Sequence, residues 1–216
     1  MKSLYFLFLC CFISCTTATK PLDPCYMDAG IKKAKIQIKT EANEIDKDDF
    51  MTIEYTQQGN PLKVFKSKWK STTDYVYVED ILKYIVTSGP DYFYEGQPEE
   101  EIIIKVDTLF ITKNDAKGRM LESIGTDKVN YKYSYANCNE GSVITYAAEE
   151  KQSTMHFLKE NGNIMKKTVT FYIPFESTTV SKYSEYKFDE FGHWIERSLE
   201  AEDGEMYTEM RALEYY

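Results

Sequence analysis

The sequence predicts a mainly β protein: an antiparallel meander of hairpin repeats forming a curved sheet or open barrel, with at most one short helix. Three observations predict it. Aromatic residues are abundant, with 18 Tyr and 12 Phe against 10 Gly and 6 Pro in 216 residues, a balance that favours strands. The hydrophobic period over most of the chain is two rather than 3.6. Glycines recur behind polar clusters at intervals that fit two strands and two turns. Hydrophobic residues make up 43% of the chain, enough to bury apolar surface in a single domain. The net charge of −9 argues against nucleic acid as a partner, because duplex affinity comes mainly from phosphate neutralisation by cations.

The N-terminus reads as an export signal over residues 1–14. Lys2 is followed by an apolar run from Leu4 to Ile13. That run is too short to cross a bilayer as a helix, which takes about 20 residues, and it matches the apolar core of a signal peptide. Phe12-Ile13-Ser14-Cys15 resembles the lipobox of bacterial lipoproteins. The resemblance implies acylation of Cys15 and cleavage just before it, with Phe12 standing where Leu is commonest. More than one acyl chain gives stable anchoring. The rival is cleavage after Thr16-Thr17-Ala18, which releases a soluble protein. Residues 15–25 then form a lipid-anchored polar tether, and residues 26–216 a single β-sheet domain. Neither an acidic run nor an Asp follows Cys15, so the periplasmic face of the outer membrane is the expected location, with surface exposure as the alternative.

Export changes the cysteine count. Cys10 and Cys11 leave with the signal, so Cys25 and Cys138 remain in the domain. In an oxidising compartment they form a candidate disulfide that pins the tether to the sheet; two buried thiols are the alternative.

The strands come in order. Ala34, Ile36 and Ile38 alternate with Lys33, Lys35, Gln37 and Lys39, a half-buried strand with a cationic outer face. Val78–Val86 is the one helix candidate, ended by Ser88-Gly89-Pro90, and a strand is the competing reading there. Ile102–Ile111 is apolar and β-branched, as a central strand would be. Tyr131, Tyr133 and Tyr135 alternate with Lys132 and Ser134. Gly59, Gly118, Gly162 and Gly192 each follow a polar cluster and supply the positive φ of a turn. Three residues after each comes an apolar residue, Leu62, Leu121, Met165 and Ile195, expected to hold one buried face in register. Gly141 has Ile144 at the same offset. The longer interval between Gly59 and Gly118 predicts an insertion.

The C-terminal unit is the clearest. Tyr186-Lys187-Phe188-Asp189-Glu190-Phe191-Gly192-His193-Trp194-Ile195-Glu196-Arg197 resembles the hairpin unit of YD-type (Rhs-like) repeats, with His193 in place of the usual Asn. Such units recur in exported lipoproteins of Bacteroidota-type bacteria. The resemblance implies antiparallel sheet and an envelope location. It implies no catalytic residues.

Signatures of chemistry are missing. The two histidines, His156 and His193, read as a strand-surface and a turn residue. No zinc-protease, nucleophile-elbow, phosphate-loop or dinucleotide motif occurs. Acidic runs such as Asp46-Asp48-Asp49 and Glu99-Glu100-Glu101 lack the ligand order of a calcium loop and read as solvated loops. Paired acids for glycoside hydrolysis leave no linear signature, because their separation is spatial. Trp69 and Trp194 are candidate aromatic contacts on Tyr-rich strands, with core packing as the bland alternative.

The expected function is a lipid-anchored, non-catalytic envelope protein that binds a partner or ligand through its sheet, the partner being an envelope protein or a glycan. The alternative is a carrier that holds an apolar molecule in a concave half-barrel, and behind it a glycan or peptide hydrolase. No cofactor is expected.

Overall fold

A computed structural model describes residues 28–39, 45–90, 103–116, 118–202 and 204–216. The signal, Cys15, the tether and Cys25 lie outside the described residues, as do residues 91–102 within the long Gly59–Gly118 interval. The described chain is all strand and turn. Its first half comprises β1 (Ile31–Lys39), β2 (Ile45–Tyr55), β3 (Pro61–Lys66), β4 (Ser71–Val78), β5 (Ile81–Pro90), β6 (Ile104–Asn114) and β7 (Met120–Gly125). The second half comprises β8 (Asn130–Tyr135), β9 (Glu140–Ala147), β10 (Glu150–Glu160), β11 (Asn163–Phe171), β12 (Ser177–Phe188), β13 (Trp194–Glu200) and β14 (Met206–Tyr215). Each strand pairs antiparallel with its sequence neighbours, and β1 pairs with β14, so the meander closes into a barrel.

The Val78–Val86 helix candidate is instead a hairpin. Val78 ends β4, Glu79 and Asp80 turn with φ of 51° and 61°, and β5 begins at Ile81. Two consecutive positive φ values are the geometry of a tight hairpin turn, and across it Tyr77 pairs with Leu82 and Tyr75 with Ile85, the ladder shifting at Lys83. Ile104–Asn114 is a strand, but it is not apolar-buried on both sides. Val106 and Phe110 stand 59% and 48% exposed on one face, while Leu109 and Ile111 occupy the other.

The repeat glycines mark one end of the barrel. Gly59, Gly118, Gly162 and Gly192 all have positive φ, between 77° and 87°, and sit in the β2–β3, β6–β7, β10–β11 and β12–β13 turns. Three of these turns share one hydrogen-bond device. In the last, Asp189 N–H donates to the His193 carbonyl at 2.9 Å, Gly192 N–H donates to the Asp189 carbonyl at 3.2 Å, and Asp189 Oδ1 accepts from the N–H of His193 at 2.9 Å. Asp115 and Thr56 play the part of Asp189 towards Arg119 and Asn60. Gly162 differs, forming a two-residue Asn161-Gly162 turn. Gly141 also differs: it lies within β9 without positive φ, and a Cβ there would meet the Phe157 ring at 2.4 Å.

The apolar residue three places after each glycine does not hold a buried face. Leu62, Leu121, Met165 and Ile195 each fall where the ladder register shifts beside the turn. They are bulge residues, and Leu62 and Ile195 are 39% and 36% exposed. Lys83, three places after Asp80, occupies the same kind of shift in β4–β5. The repeat therefore encodes a turn followed by a bulge, which bends and twists the strand pair. Repeated around the sheet, that bending favours closure.

Candidate functional site

Strand pairing fixes which residues share a face, and one observation shows which face is inside. Tyr75 on β4 and Tyr133 on β8 lie four strands apart, yet each phenol lies within electrostatic reach of the other. Such residues meet only across the interior. The same face carries Tyr77, Tyr131, Tyr135, Val143, Met155 and Val169, and on the closing strands Ala34, Ile36, Ile53, Arg197, Glu209 and Arg211. Burial pushes the phenols of Tyr75, Tyr77, Tyr131, Tyr133 and Tyr135 up, Tyr77 to about 12.

The outer face is built differently. Cross-strand ion pairs cover it on both sides of the closure: Lys33–Glu54 at 3.4 Å, Lys63–Asp74 at 3.6 Å, Lys182–Glu200 at 2.8 Å and Lys187–Glu196 at 2.6 Å. This confirms the cationic outer face expected of β1. Apolar patches interrupt it: Tyr84 and Phe110 pack at 6.5 Å beside Val106 on β5–β6, Phe50 and Phe65 pack at 6.0 Å on β2–β3, and Ile124 and Ile144 lie on the same outer face of β7 and β9. Exposed pairs contribute little to stability, but they set polarity: a lipid-facing barrel carries an apolar band on its outside, and the ladder here is charged.

At the turn end, the inner face gathers a polar cluster around a cavity of about 250 Å3. Arg211 is 5% exposed and reaches it from β14. Its Nη2 donates to Asp28 Oδ1 at 2.7 Å and to the Tyr55 hydroxyl at 2.9 Å. Arg197, from β13, is bound to Glu209 on β14 through Nε and Nη2 at 2.5 Å. The Trp194 ring contacts both guanidinium groups, with Arg197 Cζ 4.2 Å and Arg211 Cζ 5.0 Å from its centroid. Lys159 enters from β10; burial lowers its pKa and Asp28 opposes that shift. Burial raises Tyr55 strongly, with Asp28 adding and Arg211 opposing. Ile36, Ile53 and Ile164 supply the apolar wall.

The 28–30 turn lies over this cluster and places Asp28. Gly30 N–H donates to the Gln57 carbonyl at 3.0 Å. Gly59 leaves space for the turn, since a Cβ there would stand 2.5 Å from the Ala29 nitrogen.

The sequence-level candidates divide. Trp194 opens β13 in the cavity and is not an outer contact. Trp69 lies in the β3–β4 turn rather than on a strand, is 59% exposed, and sits at the opposite end. His193 closes its turn as expected, yet its ring is buried at 4% exposure and lines the cavity. His156 is exposed on β10. Cys138 is disulfide-bonded and sits in the β8–β9 turn, whose Asn139 carbonyl accepts from Lys159 N–H at 2.6 Å. Sequence reading passed over Asp28, Tyr55, Lys159, Glu209 and Arg211. One signal was available: only three of the 26 cationic residues are Arg. All three sit in partly or fully buried ion pairs, where a planar, weakly hydrated guanidinium is favoured over an ammonium.

No protein-family model matches the chain, and no curated protein matches it. Among solved structures, a porin-like protein from Bacteroides uniformis is similar at 10% identity and a TM-score of 0.44, over 87% of this chain and 99% of that one.

Proposed function

We propose that this chain is an exported, lipid-anchored envelope protein that holds an apolar or amphiphilic small molecule inside its barrel without transforming it. The observation that carries this is one aromatic and aliphatic stretch of the inner face, Tyr75, Tyr77, Tyr131, Tyr133, Tyr135, Val143, Met155 and Val169, at the side of a cavity that has its own apolar wall. Barrels of about eight strands are filled by their own side chains, and width grows with strand number. Fourteen strands give a wider circumference than that, although the walls come close where Tyr75 and Tyr133 face each other. Among the described residues the fully buried apolar cluster is only Ile31, Ala34 and Tyr55, at the turn end. The cavity carboxylate Asp28 is held by Arg211, and the neighbouring Glu209 by Arg197, so neither is free as a general acid. Anchoring through Cys15 and a Cys25–Cys138 bond remain part of the proposal. The position of Cys138 supports the bond, since its turn is at the same end of the barrel as Asp28.

The test is an apolar fluorescent dye, N-phenylnaphthylamine, added to the native protein. Saturable enhancement is expected, unchanged by the outer substitutions Val106→Glu and Phe110→Glu and reduced by the inner substitution Val143→Glu. Absence of enhancement would refute the carrier reading. A second reading, contact with a partner through the sheet, is favoured by the outer apolar patch of β5–β6. There the same Val106→Glu and Phe110→Glu changes would abolish partner binding.

A further inference from the structure

We propose that the cavity at the turn end binds the carboxylate headgroup of a singly charged acidic amphiphile, whose apolar chain runs along the aromatic interior. This rests on the carrier reading and names its ligand class. Two buried nitrogens point to it. Arg211 Nε and His193 Nδ1 both belong to residues lining the cavity, and neither has a hydrogen-bond partner. The Arg211 side chain is only 2% exposed. The Arg211 guanidinium is paired with Asp28 through Nη2, but its Nε–H, taken out of water without a partner, carries its own desolvation cost, part of which a ligand oxygen there recovers.

The lining cations point the same way. Arg197, Arg211 and Lys159 line the cavity with one carboxylate, Asp28, while Glu209 pairs with Arg197 from beside it and Asp189 lies next to His193. Among the described residues Lys159 makes no ion pair within 4.0 Å; it lines the cavity half-buried, with its ammonium 5.7 Å from the Phe157 ring centroid. Burying an unpaired cation is unfavourable unless something neutralises it. A monoanionic headgroup in the cavity faces Lys159 and the Nε–H edge of Arg211. The neighbouring wall suits the first carbons of the attached chain: Ile36, Ile53 and Ile164 are aliphatic, and the Trp194 ring contacts both guanidinium groups. The flat, delocalised Arg fork also matches the planar geometry of a carboxylate.

The structure supplies the reporter. The chain has two Trp, and Trp69 is exposed at the far end of the barrel. In the full-length Trp69→Phe protein, fluorescence reads Trp194 alone. Titration with dodecanoate and with dodecanol, which share a chain and differ in charge, then separates headgroup from lumen. The expected result is dodecanoate binding at least about tenfold tighter than dodecanol, the size of one charge-assisted hydrogen bond. Lys159→Met and His193→Asn are each expected to remove most of that preference while leaving dodecanol affinity within about twofold. Unchanged dodecanol binding also shows that each variant is folded. Equal affinity for the acid and the alcohol would overturn the headgroup assignment and leave the carrier reading standing. So would a preference that survives Lys159→Met and His193→Asn. Failure of both ligands to bind would remove the carrier reading, and this inference with it.

Discussion

Gly59→Ala tests whether the 28–30 turn is seated on the β2–β3 hairpin, with Gly118→Ala as its control. Both glycines have positive φ, 87° and 77°, so both substitutions carry the left-handed penalty of an L-residue, about 1–2 kcal/mol. At Gly118 the new Cβ meets nothing within 4 Å, and that penalty is the whole expected cost. At Gly59 it stands 2.5 Å from Ala29 N, 2.7 Å from Asp28 C and 3.0 Å from Ala29 Cα. All three are backbone atoms, so the turn itself must shift. The shift breaks the Gly30–Gln57 hydrogen bond and pulls Asp28 from Arg211, a hydrogen bond between charged groups of the kind that contributes about 1.5–3 kcal/mol. Gly59→Ala should therefore cost roughly 3–4 kcal/mol in total. Urea unfolding gives both values, provided the slope m stays constant between variants. Combining Gly59→Ala with Asp28→Asn should show coupling, because the two act on one contact. The reasoning is refuted if Gly59→Ala costs no more than Gly118→Ala.

Three further outcomes are expected. Burial alone would raise the Asp189 carboxyl, but the Tyr215 hydroxyl and the N–H groups of His193 and Phe191 hold it below its ordinary 3.8. A depressed folded pKa contributes stability above about pH 4 that is lost as pH falls further. The stability gap between wild type and Asp189→Asn, measured by thermal melting from pH 7 downward, should thus close below about pH 4; a gap independent of pH would contradict it. Tyrosinate absorbance should titrate in two groups, since burial raises the inner phenols, Tyr77 to about 12, whereas bonds from Lys151 and Thr154 lower the outer Tyr172. The inner phenols stabilise the fold fully below their ordinary value of about 10 and lose that contribution as pH rises through the folded values, so a single transition near 10 would mean a water-filled interior. Intact mass of the protein from its native membrane should start at acylated Cys15 and rise by about 2 Da on reduction of one disulfide; an unacylated mass starting downstream would remove the anchor.

How much of this was legible depends on whether the cause is local. A period of two, Asn-Gly and Asp-x-x-Gly turns, and the alternation of Lys33 and Lys35 with Ala34 and Ile36 act over a few residues, and each was read correctly as strand or turn. Val78–Val86 was ambiguous because Glu79 and Asp80 are poor markers of a tight turn. Their positive φ is imposed by the strands on either side rather than by glycine. The offset residues Leu62, Leu121, Met165 and Ile195 show a subtler limit. Their regular spacing was visible, but a regular position serves equally for a core residue or for a bulge, and only the partner strand decides which.

By itself the sequence determined that the chain is an antiparallel meander, since neighbouring strands joined by short turns pair with each other before anything distant does. It also determined where the repeated turns fall. The tertiary structure alone decided closure, because β1 and β14 are separated by nearly the whole chain and meet only when the accumulated bend of the other strands brings them together. Closure in turn decided the site. Asp28, Tyr55, Lys159 and Glu209 carry no signal at their places in sequence, and Arg211 only the rarity of its residue type. They become a charged pocket because several strands and one turn deliver them to the same end of one interior, where low exposure gives each unpaired charge its consequence.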